Sequence, residues 1–158
     1  MMICAADAAL TRAVLPAAQF GDRFSITVSG RALDAETATA LVMGRTPRWV
    51  GWLMRWRNRL VRPFGLKTQL SGPAADRIGV FPVISRSSRR MVLGLDDRHL
   101  DFRVVVEVES VGEDRQQVSA TTLVETHNRM GRLYLAAVKP FHRIVVPAML
   151  AQGARRPA

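Results

Sequence analysis

Arg57 stands out among the residues able to do chemistry because of where a helix would put it. At about 100° per residue, a helix ending near Val61 sets Arg57 between Leu53 and Val50, toward the apolar side and away from Arg48, Arg55, Arg59 and Arg62. A guanidinium buried without a partner is costly, so Arg57 is expected to meet a ligand anion or a carboxylate such as Asp101 or Glu125. His99, Asp101 and Arg103 alternate along one strand and so share a face, which suits a proton relay or an anion site. The same alternation opposite Leu100, Phe102 and Val104 also suits an ordinary solvated sheet face. Asp96-Asp97 has the composition of a tight turn rather than of a catalytic pair. His99, His127 and His142 show none of the spacings of a metal site, such as an i, i+4 pair, so no metal is expected. His142 falls at the edge of the apolar stripe of the last helix, where it can cap a cavity. Ser85, Ser87, Ser88 and Cys4 lack the context of a catalytic nucleophile. Gly44, Gly65, Gly72 and Gly79 make neither a phosphate loop nor a dinucleotide fingerprint, so no cofactor is expected. No catalytic motif is present, and the residues assign no reaction.

Several elements must hold these positions. Phe24, Ile26 and Val28 alternate with Arg23, Ser25 and Thr27, the period-two pattern of a half-buried strand. Asp34 is placed to cap a short helix over 34–43. Thr46-Pro47 opens a second helix, since proline is tolerated at the first helical position, and it runs to about residue 61. There Trp49, Leu53, Trp56 and Leu60 form one stripe and the arginines another face. Pro63 closes it, and 64–77 reads as a loop. Strands are expected over 78–85, 90–95, 99–109 and 117–126, joined by hairpin turns, with one face core and the other wet. From Asn128, the residues Met130, Tyr134, Ala137, Phe141, Ile144 and Ala148 recur at steps of four and three, predicting a helix of about 20 residues. Pro140 should kink it, and Pro147 with the Gln152-Gly153-Ala154-Arg155-Arg156 tail should end the ordered part.

The chain has 158 residues, the size of one domain, and its 48% hydrophobic and 23% charged residues exclude a disordered tail, a collagen-like chain and a disulfide scaffold. Cys4 has no partner, which fits a reducing, cytoplasmic setting. The stretch 1–20 lacks the basic leading region of a signal peptide and is interrupted by Asp7 and Arg12. No window approaches the roughly 20 apolar residues of a spanning helix. The net charge of +10 has two readings. It marks a polyanionic or anionic-lipid partner, or it reflects arginine codon preference, since lysine occurs only at Lys67 and Lys139.

Pro47-Arg48-Trp49, Arg57-Asn58-Arg59-Leu60-Val61, Phe64-Gly65-Leu66-Lys67, Gly79-Val80-Phe81-Pro82, the run from Gly94 to Arg103, and Asn128 through Gly131-Arg132-Leu133-Tyr134 to Pro140-Phe141-His142-Arg143 resemble the bacterial domain-of-unknown-function family DUF2867. The order of elements is also similar to the START-like, polyketide-cyclase-like superfamily. The resemblance implies an α+β helix-grip fold, a curved antiparallel sheet wrapped around a long C-terminal helix, with two shorter helices after the first strand. An N-terminal extension over 1–22, a single domain over 23–150 and a disordered tail over 151–158 are expected. The superfamily further implies a cavity between the final helix and the sheet. The expected function is binding of a small apolar or amphipathic molecule there, at Trp56, Arg57, Phe102, Thr122, Tyr134, Phe141 and His142. Two alternatives are a cyclase-, hydrolase- or isomerase-type enzyme using His99, Asp101 or His142, and a basic protein binding nucleic acid or an anionic membrane. Leu135, Val146 and Leu150 lie off the main helical stripe and suggest a weak homodimer face.

Overall fold

A computed structural model of the chain describes residues 2–30, 32–43, 48–61, 77–79 and 81–154, with the side chains at 53, 54, 56–58, 60, 61 and 154 outside that description. The period-two stretches become strands and the longer periodic ones helices. In chain order these are β1 (Met2–Ala5), α1 (Ala8–Val14), β2 (Phe20–Ser29), α2 (Ala35–Met43), α3 (Arg48–Val61), β3 (Arg77–Ile78), β4 (Phe81–Arg86), β5 (Arg90–Asp96), β6 (Leu100–Gly112), β7 (Arg115–Thr126) and α4 (Arg129–Ala154). The strands make one sheet in the order β1-β2-β7-β6-β5-β4-β3, each antiparallel to its neighbours. With the long last helix across it, this is the α+β helix-grip arrangement that the family resemblance implies.

Antiparallel partners point to the same face, so the register assigns the two sides of the sheet. Phe24, Val28, Val118, Ala120, Val104, Val106, Met91 and Leu93 form the inner face, packed against Ala38 and Val42 of α2, Val50 of α3 and Val145, Met149 and Leu150 of α4. Full burial of side chains this size contributes roughly 1.5–3 kcal/mol each relative to exposure. The outer face is not simply wet. Leu10 of α1 packs with Val92 and Val105, and Val14 lies against them. Glu107 is buried there between Arg23 at 3.1 Å and Arg90 at 2.8 Å. Residues 2–14, expected to be an extension, are therefore built into the sheet and its cover, and β2 begins at Phe20 rather than Arg23.

Helix α4 departs from expectation in two ways. It runs unbroken through Pro140 and Pro147 to Ala154 instead of ending at Pro147. Pro140 is exposed, as are Ala136 and Arg143, the residues whose carbonyls the two prolines leave without a donor, so water can satisfy them. The helix is also rotated about 100° from the predicted stripe. Gly131, Val145, Met149, Leu150 and Gly153 are buried, whereas Ala137, Phe141 and Ile144 are exposed. Leu150, assigned to a dimer face, lies wholly inside, with Leu135 and Val146 half-buried. Two close approaches fix this rotation. A Cβ on Gly131 would overlap the backbone oxygen of His99, and one on Gly153 would lie 3.0 Å from Val42 Cγ2. Asn128 ties the helix start to the β5–β6 turn, accepting from the Gly131 amide at 3.0 Å and donating to the Arg98 carbonyl at 3.1 Å.

Candidate functional site

A polar cluster lies on the inner face where α4 crosses β2. Because β2 alternates, Phe20, Asp22 and Phe24 share that face, and Asp22 is directly opposite Thr122 on β7. His142 reaches down from α4 to meet them. Its Nε2 lies 3.0 Å from Asp22 Oδ1, with the two side chains 17% and 13% exposed. The imidazole stands edge-on to Phe20 and Phe24, with ring centroids 6.1 and 6.0 Å away. One turn earlier on the helix, Lys139 Nζ sits 4.7 Å from the centroid of Phe20. The Thr122 hydroxyl is buried and, like those of Ser119 and Thr121 on the outer face, has no hydrogen-bond partner among the described residues. Leaving a buried hydroxyl unpaired costs about 1–3 kcal/mol.

The arrangement offers an incoming molecule two polar atoms beside one carboxylate. Thr122 Oγ1 can donate or accept. When His142 directs an Nε2 proton at Asp22, its Nδ1 is left as an acceptor, and it has no partner among the described residues. Asp22 thus fixes the tautomer and orientation of the ring. The site is a polar spot set in an apolar wall.

Of the expected site residues, Thr122 stands opposite Asp22 in the strand register and His142 contacts Asp22. Phe102 also lies on the inner face, opposite Val124 and one pair along from Val104–Thr122, and packs edge-on to Phe81 with centroids 5.4 Å apart. Tyr134 is half-buried on α4. Phe141 is 49% exposed, off the buried stripe, and does not line the inner face. Trp56 and Arg57 have side chains outside the described residues. Among the described side chains of α3, Val50 is buried, while Trp49 and Trp52 are 45% and 55% exposed.

The face shared by His99, Asp101 and Arg103 is divided among separate structural links. His99 Nδ1 meets the Asn128 side chain and its Nε2 accepts from Arg98 Nε at 2.9 Å. Asp101 accepts from the Asp97 amide at 3.0 Å and lies 3.2 Å from His127 Nε2, and Arg103 pairs with Asp96. These contacts tie the β5–β6 turn and the start of α4 together. No group of three metal-ligating side chains is found among the described residues. A surface depression of about 350 Å³ lies against α1, lined by residues such as Ala5, Thr11, Arg12 and Gln19, and not beneath α4.

Asp22 is a member of the inner-face cluster that the sequence reading misses. Its signal is the alternation itself, which extends back from Phe24 to Phe20 and puts a carboxylate among apolar partners.

No curated protein matches the chain. Among solved structures, a START superfamily protein from Mycobacterium smegmatis is similar at 13% identity, covering 84% of this chain and 97% of its own, with a TM-score of 0.42. A conserved protein from Geobacillus kaustophilus is similar at 10% identity, 85% and 92% coverage and a TM-score of 0.42. A solution structure from Thermobifida fusca is similar at 16% identity, 84% and 92% coverage and a TM-score of 0.41. Likenesses this loose assign no ligand and no reaction. The model of a family described as a protein of unknown function matches residues 14–149, most of the sheet and nearly all of α4, and the chain therefore belongs to the DUF2867 family.

Proposed function

We propose that the chain binds a small apolar or amphipathic molecule in a cavity between α4 and the inner face of the sheet. The observation that carries this reading is the Thr122 hydroxyl, without a partner among the described residues and opposite Asp22 of the Asp22–His142 pair, on a largely apolar face. Binding sites of this kind combine an apolar lining with a few placed polar groups. The ligand's polar end meets Thr122 Oγ1 and His142 Nδ1, and its apolar body runs along Phe102 and Phe24. The exposed free thiol of Cys4 suits the reducing, cytoplasmic setting that belongs to the same reading.

Native mass spectrometry of the protein purified from its host organism tests this. Wild type is expected to carry a small organic mass that Thr122→Val and His142→Phe lose. Wild-type protein free of any retained mass, after exposure to a total lipid and metabolite extract, contradicts it.

The Asp22–His142 pair also favours a second reading, acid–base catalysis on the bound molecule. With Nε2 held by Asp22, Nδ1 is the atom that takes a proton from the substrate and returns it. Incubation distinguishes the two: an enzyme releases a changed molecule, and a binding protein returns the same one.

A further inference from the structure

We infer that the outward face of α4 docks flat on an anionic lipid bilayer. This inference is independent of the ligand reading, since it uses the opposite side of the helix from His142. Leu133 and Ile144 are 65% and 61% exposed and Phe141 is 49% exposed, and all three gather with exposed Ala137 and Pro140 on one stripe. Arg129, Arg132 and Arg143 are exposed on a flank roughly 90° around the helix from that stripe. None of the three arginines has an acidic partner among the described residues. The whole of α4 contains no aspartate or glutamate.

Over Arg129–Gly153 the helix is long and apolar enough to cross a membrane by length and composition, contrary to the expectation that no window comes near this, yet only 11% of its most apolar window is buried. Its other side is committed to the core through Val145, Met149 and Leu150, so the helix is placed to lie on a bilayer rather than to span it. An apolar stripe beside a cationic flank is the pattern of an interfacial helix, whose apolar side chains enter the acyl boundary while the cations meet lipid phosphates.

The charge pattern selects the occupant. A second copy on a two-fold axis would bring two sets of arginines together with no carboxylate on either α4 to pair them, whereas an anionic leaflet supplies the missing charge. On the bilayer the helix would leave its sheet-facing side turned toward the protein.

Flotation or sedimentation of the full-length protein with vesicles tests the inference, using phosphatidylcholine and phosphatidylglycerol at about 2:1 against phosphatidylcholine alone. Binding is expected only to the anionic vesicles and should weaken as salt is raised. Arg132→Gln with Arg143→Gln should weaken it by roughly fivefold per arginine. Leu133→Ser with Ile144→Ser should weaken it by at least about tenfold. All four positions are exposed, and unchanged circular dichroism and melting temperature confirm folding of the variants. Equal binding to neutral vesicles, no binding to anionic ones, or binding unaffected by the variants overturns the inference. So does a wild-type dimer that Leu133→Ser with Ile144→Ser converts to monomer, which would give the face to a second copy. Salt-sensitive binding to single-stranded DNA that the arginine variants abolish, without vesicle binding, would assign the flank to nucleic acid.

Discussion

A buried hydroxyl without a partner among the described residues sits on the inner face. Thr122 replaces what could be a valine of the same shape, between Ala120 and Val124 on the inward row of β7. An isosteric methyl would remove the desolvation cost, so Thr122→Val is expected to raise the stability of the ligand-free protein by about 1–2 kcal/mol while abolishing ligand retention. Urea unfolding alongside native mass spectrometry reads both effects. A neutral or destabilising Thr122→Val that leaves retention intact would mean the hydroxyl has a structural partner. Asp22 and His142 explain each other in similar terms. The carboxylate meets the imidazole at 3.0 Å, and the two phenyl rings that flank it hold the ring upright.

At the scale of elements, the fit of α4 to its neighbours depends on side chains that are absent. Gly131→Ala sets a methyl group against the His99 carbonyl oxygen, which belongs to a turn already held by Asn128 and cannot rotate away. A loss of about 2–3 kcal/mol is expected, read as a lower urea midpoint at unchanged slope. Gly153→Ala meets Val42 Cγ2 at 3.0 Å and the Leu41 and Val42 backbone at 3.4 Å, a milder clash offset in part by helix propensity, so its loss should be smaller, about 1 kcal/mol. Helix α2 has its own test. Hydrogen bonds from the Thr37 hydroxyl and amide hold the Asp34 carboxyl below the ordinary aspartate value. The cap is therefore fully in place above the ordinary value and is lost as pH falls through the lowered one. The Thr37 amide resonance should titrate with that lowered midpoint, and Asp34→Asn should abolish the titration while keeping the helix.

The same scale shows why some elements are readable and others are not. Strand β6 can be read because Leu100, Phe102, Val104, Val106 and Val108 alternate with charged residues along most of its length. The face of α4 cannot, because Leu133, Phe141 and Ile144 point out while Val138, Val145 and Met149 point in, and periodicity alone does not rank two apolar stripes. The cluster around Thr122 falls between these cases. His142 and Thr122 are visible as polar residues in apolar settings, but their meeting at Asp22 depends on the pairing of β2 with β7, strands about 100 residues apart in the chain.

For the molecule as a whole, the two faces of the sheet have separate covers. Removing residues 2–14 would uncover Val92 and Val105 and leave β2 as a bare edge, so the shortened protein is expected to melt earlier and to self-associate, as light scattering would detect. The inner cover is different in kind, since α4 packs inward at Val145, Met149 and Leu150 yet leaves a polar spot where His142 crosses β2. A high-resolution crystal structure of the protein purified from its host is the most direct measurement. It should show an organic molecule hydrogen-bonded to Thr122 Oγ1 and His142 Nδ1 beneath α4. Side chains packed to contact around Thr122, with a single water or nothing beside its hydroxyl, would contradict the proposal.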